Sequence, residues 1–427
     1  MLRKTMHLFW VSCLLLLPVA HSAAADQAYG YPLTDRFVAT VVGTPKPLQA
    51  KLPEDIPFRS KRIKIFEDRV TPDVLAYNDE MMFSYALQKG AAPLMFLIAG
   101  TGASHEGGKN KYMARAFYAQ GYHVISLSSP TWPNFVVSAT ESGVPGHVTR
   151  DAQDLYRAMQ KTWNEVKGSR SATSHYLTGY SLGALNAAFV AQLDDQKQVF
   201  NFDKVLLINP PVSLYNSISL LDRMAENIPG GEDNFGIYFN NLVRVFTDVY
   251  KRQKDAVEFG DEFLVTVFKA MQPKDEELAA LIGVAFRISS GSMVFTTDVM
   301  TDFGFVKPKG LVLGRYADLT PYRQVTARLG FTDFYHEFFY PFYKDEYPGM
   351  DRDAFIRNMS LHSIRDYLAG ADKISVMHNA DDVILEPGEI DFFTEVFADR
   401  AKIYPVGGHL GNMEYAENTA HMIGVFK

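Results

Sequence analysis

The chain places Ser181 between Gly179 and Gly183, where the apolar run "SHYLTGYS" gives way to the helix-like "LGALNAAFVAQL". A strand that must become a helix within a few residues needs glycines. They allow the tight backbone, and the close helix–strand approach, that a Cβ would block. A hydroxyl on such a corner projects from a helix N-terminus, where the dipole favours developing negative charge. Nucleophilic attack is the chemistry such a serine could do. A turn residue that merely caps a helix is the alternative.

A serine nucleophile needs a base. "YPVGGHLGN" sets His409 just after the last expected strand, among glycines that leave it room to reach over a sheet. An imidazole there can take the serine proton and return it to a leaving group. His105 and His378 are the rivals. His378 ends a strand, but the turn after it reads better as the carrier of an acid. "VMHNADDVIL" supplies that acid as Asp381 or Asp382. A carboxylate at this point would hold the imidazole tautomer and stabilise the imidazolium.

With a strand before it and a helix after it, the Gly-Tyr-Ser-Leu-Gly turn resembles the nucleophile elbow of the α/β-hydrolase superfamily. The resemblance spans residues 59–211 and 369–427. It implies a triad in the chain order Ser181, Asp382, His409. Asp382 is favoured over the alternative Asp381 because Val383-Ile384-Leu385 follow it directly. The resemblance also implies an oxyanion hole built from the main-chain N–H of Leu182 and of Thr101, which follows Ala99-Gly100. Many relatives have His-Gly at that point. The departure leaves Thr101 and Gly102 both open as donors. Gly102, Trp132 and Phe135 are candidates for lining a substrate pocket, with packing beneath a cap as the competing role of the two aromatics.

The elements that must hold these residues are legible as periodicity. "KRIKIFEDR" and "LAYNDEMMFSYAL" alternate like half-buried strands. "APLMFLIAG", "YHVISLSSP" and "DKVLLINPP" are apolar runs suited to strands buried on both faces. "KYMARAFYAQG" and "HVTRDAQDLYRAMQKTWNEV" read as helices, the second with Val148, Ala152, Leu155, Met159 and Val166 on one face. The last 55 or so residues read as strand, helix, strand, helix. Strand and helix in alternation imply an α/β fold: a mostly parallel sheet with helices on both faces. Ligands in such sheets bind at the carboxyl ends of the strands, where Ser181, Asp382 and His409 all fall.

One stretch breaks the alternation. Residues 212–368 are mainly helical in period and far too long for a loop. They read as an inserted cap. Within it "FYHEFFYPFYKDEYPG" concentrates aromatic residues, and "LAALIGVAFRISSGSMVF" is strongly apolar. Such residues glue a cap to a core, form an apolar substrate site, or touch lipid as a peripheral membrane contact.

The N-terminus reads as an address. Arg3 and Lys4, then "LFWVSCLLLLPVA", then "HSAAA" follow the pattern of a secretory signal peptide over residues 1–25. Residues 26–58 read as an extended lead-in. No other stretch reads as apolar enough to span a bilayer. Cys13, the only cysteine of 427 residues, falls inside the signal, so thiol catalysis and thiolate metal sites are excluded. Export without disulfides suits a bacterial periplasmic or secreted protein with a large core. A net charge of −7 and no basic stripe argue against nucleic acid as partner. No zinc or calcium signature is present, and no metal or cofactor is expected.

The expectation is therefore an exported serine hydrolase cleaving an apolar or lipid-like carboxylic ester. The same triad could serve an amidase, thioesterase or peptidase. A non-catalytic envelope protein on a retained hydrolase fold is the reading from another class.

Overall fold

Short apolar runs separated by amphipathic ones become the eight strands and flanking helices of the computed structural model, which describes residues 29–231 and 275–427 and scattered positions between 234 and 248. The signal-like segment 1–25 lies outside the described residues. The strands are β1 (Arg59–Ile63), β2 (Met81–Ala86), β3 (Ala92–Ile98), β4 (His123–Leu127), β5 (Ala172–Tyr180), β6 (Lys204–Ile208), β7 (Ile374–Asn379) and β8 (Ala401–Tyr404). They form one sheet in the order β1-β2-β4-β3-β5-β6-β7-β8. β2 runs antiparallel to both its neighbours, and every pairing from β4 to β8 is parallel.

The central strands are apolar on both sides because both sides are covered. Leu94, Phe96 and Ile98 of β3 join a core with Leu155 and Met159 of one helix (Val148–Val166) and Leu185 and Phe189 of another (Leu182–Lys197). Alternation turns Met95 and Leu97 to the opposite face. The helices Gly108–Ala119 and Ala416–Val425 cover that face, with the ring of Phe117 edge-on to Phe426.

Three local readings differ from expectation. The lead-in is not extended throughout. It contains α1 (Arg36–Val42), capped by the Asp35 carboxylate, which accepts N–H bonds from Phe37 and Val38. Side-chain capping by aspartate is strong enough to nucleate so short a helix once tertiary contacts hold it. Only the second half of "LAYNDEMMFSYAL" is strand; residues Asp73–Asn78 wind as a 3-10 turn. The stretch after β4 is not all loop: Pro133–Ser138 is a helix with proline at its start, where a missing N–H costs nothing.

The segment after β6 returns to the sheet at β7. Its two ends are stitched together: Leu361 N–H donates to Val212 O, and Ser213 bridges Ser360. Between them run α2 (Leu214–Glu226) and α3 (Asp275–Thr301). Contrary to the sequence reading, α3 is long and apolar enough, by length and composition alone, to cross a membrane over Glu277–Thr301, yet 67% of its most apolar window is buried inside the protein. A helix apolar on all sides is a core helix when other elements surround it. Asp222 of α2 accepts bonds from Phe331 N, Thr332 N and Thr332 Oγ1 at 2.7–3.0 Å. That carboxylate pins α2 to the aromatic segment 331–343. There Phe334 stacks on Phe338 and Phe338 on Phe342, and residues Tyr335–Phe339 take a π-helical turn.

Candidate active site

The turn after β5 is forced by backbone crowding. A Cβ on Gly183 would stand 2.3 Å from Ile98 O and 2.5 Å from Ala99 O, and one on Gly179 would meet Gly183 O at 2.4 Å. With no side chain at either position, the helix packs onto β3 and β5, and Ser181 takes a positive φ of 54°. That conformation is costly for serine and recurs at functional sites. It is held by Ser181 N–H donating to Ile208 O at 2.9 Å.

Three distant side chains converge here. Ser181 Oγ lies 3.0 Å from His409 Nε2. His409 Nδ1 lies 3.0 Å from both carboxylate oxygens of Asp382. Because Asp382 accepts the Nδ1 proton, Nε2 is left as the acceptor for the serine hydroxyl. All three are buried. Burial alone would push the Asp382 pKa up, but the His409 imidazole, with the N–H bond from Ile384, outweighs it and holds the carboxyl below its ordinary range. Asp382 also accepts from Asn209 Nδ2 (2.8 Å) and Ile384 N (3.1 Å).

The adjacent carboxylate does different work. Asp381 accepts the main-chain N–H groups of Gly408 (2.9 Å) and Gly407 (3.2 Å), and so fastens the loop that carries His409. Its pKa is raised, chiefly by burial. α1 braces the same loop. Thr40 Oγ1 accepts His409 N–H at 2.8 Å, and a Cβ on Gly408 would stand 2.2 Å from Arg36 O. Asn379 Nδ2 donates to Gly408 O (2.7 Å) and to Asn412 Oδ1 (2.9 Å). Sequence reasoning missed Asn209, Asn379 and Thr40. Asn209 and Asn379 stand at the carboxyl ends of β6 and β7, which was the available signal.

The rival histidines do other things. His378 is fully buried, and burial lowers its pKa. Its Nε2 meets Pro210 O at 3.0 Å while Nδ1 accepts from Asn379 N–H at 2.9 Å, so the ring is a neutral brace. His105 pairs with Ser84 at 2.6 Å, and burial pushes its pKa down to about 4.

Thr101 and Leu182 both line a pocket beside Ser181. Of the two candidate donors, Gly102 N–H is engaged, donating to Thr131 Oγ1 at 2.8 Å, and Thr101 faces the pocket. The pocket has a cavity volume of about 70 Å³ and almost wholly apolar walls. Those walls include Leu214 and Ile218 of α2, Met293 of α3, and Phe334 and Phe339 of the aromatic segment. Gly102, Trp132 and Phe135 are not among its lining residues. Phe135 is fully buried in the core, and Trp132 packs against that core part-exposed. Trp132 stands at the N-cap and Phe135 inside the helix Pro133–Ser138, and both pack against the core. Their neighbour Thr131 reaches the pocket instead.

A serine on a sharp strand-to-helix turn at the carboxyl edge of a mixed, mostly parallel eight-stranded sheet, with an aspartate and a histidine reaching it from later strand ends, is the arrangement of an α/β-hydrolase fold. No family model matches the chain, and no curated protein matches it. Among solved structures, the chain is similar to a thioesterase domain from the curacin biosynthetic pathway, at 12% identity and a TM-score of 0.38, over 87% of this chain and 100% of that one. It is similar to esterase B from Lactobacillus rhamnosis at 13% identity and a TM-score of 0.37, over 88% of each chain. It is similar to proline iminopeptidase from Mycobacterium smegmatis at 12% identity and a TM-score of 0.41, over 86% of this chain and 97% of that one.

Proposed function

We propose that this protein is a serine hydrolase that cleaves an apolar acyl ester through an acyl-serine intermediate. The observation that carries the reading is the unbroken relay from Ser181 Oγ through His409 to Asp382, each step at 3.0 Å. Ser181 Oγ attacks the ester carbonyl carbon as His409 Nε2 takes the hydroxyl proton. The carbonyl oxygen becomes an oxyanion that accepts N–H bonds from Leu182 and Thr101. Asp382 keeps the imidazolium oriented and offsets its charge. Collapse of the tetrahedral adduct expels the alcohol, which takes its proton from His409. Water then adds to the acyl-serine, giving a proton to His409, and the carboxylic acid leaves as Oγ recovers it.

The walls of the pocket support an apolar acyl or alkyl group. They offer few polar partners for a peptide main chain, whose amides would be desolvated without compensation. Export to a periplasm or to the exterior belongs to the same proposal and rests on the signal-like residues 1–25.

A fluorophosphonate probe tests the reading. It should label Ser181, and Ser181→Ala should abolish both labelling and turnover of p-nitrophenyl esters. A folded wild-type protein that resists the probe and hydrolyses no ester of any chain length would overturn it. The mass of the N-terminus after expression in a bacterium tests the export.

A further inference from the structure

Residues 31–50 precede the sheet, yet they grip the loop that carries His409. That loop is bent into backbone conformations that side chains resist: φ is 149° at Gly407, 55° at Gly408 and 65° at Leu410. A leucine in the left-handed region is costly and stays there only where its surroundings hold it. Asp381 and Asn379 supply part of that hold. The N-terminal residues add to it. Tyr31 Oη donates to Gly411 O at 2.8 Å, and Thr44 Oγ1 donates to the same oxygen at 2.9 Å. Ala50 N–H donates to Glu414 O at 3.1 Å. Two glycines of the loop are shaped to α1. A Cβ on Gly408 would stand 2.2 Å from Arg36 O, and one on Gly411 would stand 2.1 Å from Ala39 O.

α1 has seven residues, too few to be stable alone. Packing fixes it: Val41 joins an apolar cluster with Leu281 of α3 and with Val383 and Ile384, which follow Asp382. Held there, the helix presents Thr40 to the base. The Thr40 hydroxyl proton is committed one helical turn back, to Arg36 O at 2.6 Å. The oxygen is thereby left as an acceptor, and His409 N–H donates to it at 2.8 Å. His409 is thus tied at its main chain as well as at Nδ1.

We propose that Thr40 is a positioning residue for the base: it keeps His409 where Nε2 meets Ser181 and Nδ1 meets Asp382 at once. It touches neither substrate nor reacting atoms and acts through His409. Its effect on turnover rests on the hydrolase reading above; its effect on the imidazole does not. Misplacing a catalytic group by about 1 Å can cost about 100-fold in rate. Thr40 is one restraint among several, so its loss should cost less than that.

Thr40→Val tests it, since the shape is kept and both hydroxyl bonds are lost. It should lower kcat for p-nitrophenyl esters about 30-fold, with KM within about twofold, and slow fluorophosphonate labelling of Ser181 as much. Thr40→Ser restores the hydroxyl and should recover most of the rate. Phe200→Leu is the control for a merely structural role. It lies before the amino end of β6, at the edge of the sheet away from the site, and should lower the melting temperature while leaving kcat unchanged. A second readout needs no turnover. The Nδ1 proton shared with Asp382 should give a low-field proton NMR signal that His409→Gln removes, that Thr40→Val broadens and that Thr40→Ser restores. Thr40→Val with wild-type kcat and an unchanged signal would overturn the proposal. So would a loss that Thr40→Ser fails to rescue, or an equal loss of kcat in Phe200→Leu. The signal change in Thr40→Val, found in a protein whose wild type takes no probe and cleaves no ester, would uphold the positioning and overturn the hydrolase reading instead.

Discussion

The pocket is made by two regions of different character. Its floor, with Thr101 and Leu182, belongs to the carboxyl edge of the sheet, where the neighbouring Ser181, Asp382 and His409 are held by hydrogen bonds from fixed main-chain and side-chain groups. Its walls and roof come largely from residues 212–368, and there apolar contact does the holding. Hydrogen bonds are directional and fix a proton path to tenths of an ångström, whereas apolar packing is nondirectional and tolerates changes of shape. The floor should therefore fail abruptly on substitution, and the roof should yield by degrees.

After Ser181→Ala, the largest effect is expected from Asp382→Asn. The amide can present an N–H to Nδ1 and favour the wrong tautomer, so kcat should fall about 10⁴-fold with little change in KM. A loss under tenfold in steady-state ester hydrolysis would separate Asp382 from the relay. Next is Gly183→Ala. Its methyl would meet two main-chain carbonyls that cannot rotate away, and the cost should be about 3 kcal/mol, read as a lower midpoint in urea.

Asp381→Asn sharpens the comparison within the floor. It weakens two bonds to the His409 loop without touching the imidazole, so kcat should fall only about tenfold. On the roof, Met293→Trp should fill the pocket and shift preference a few-fold toward shorter acyl chains, with kcat on the shortest p-nitrophenyl ester preserved.

The smallest effect concerns the loop that carries the pocket residue Gly146. Asp151 accepts Gly146 N–H at 2.9 Å, and its other oxygen has no partner. Burial raises its pKa well above the ordinary value. The folded protein therefore holds that proton at a pH where the unfolded chain has released it. This contribution to stability is full below the unfolded pKa of about 4 and is lost as pH rises through the folded value. Asp151→Asn should remove the dependence and raise the melting temperature at pH 7 by about 2 °C. No gain at pH 7 would mean that the carboxylate is ionised there at no cost.

The strand ends were legible because each is a short apolar run closed by glycine or a polar turn, and Ser181, His409 and the Asp381-Asp382 pair sit directly after such runs. What failed was local. The sequence left Trp132 and Phe135 open between pocket and packing and did not single out Thr131, because the chain turns into the helix Pro133–Ser138 just there, and that turn decides which side chain faces the cavity. It could not show that α1, read as extended, would lean on the His409 loop from the far end of the chain.

From the sequence alone came the candidates: one hydroxyl, one imidazole, and a pair of adjacent carboxylates with Asp382 favoured. Residue type and a sharp turn are local properties, and local properties survive in a string of letters. Which carboxylate turns to the imidazole, which asparagine supports it, and which cap residues face the cavity depend on atoms more than a hundred positions apart along the chain. Those were decided only when the sheet brought strand ends together and the cap closed over them, because contact distance, unlike residue identity, is a property of the whole packed molecule.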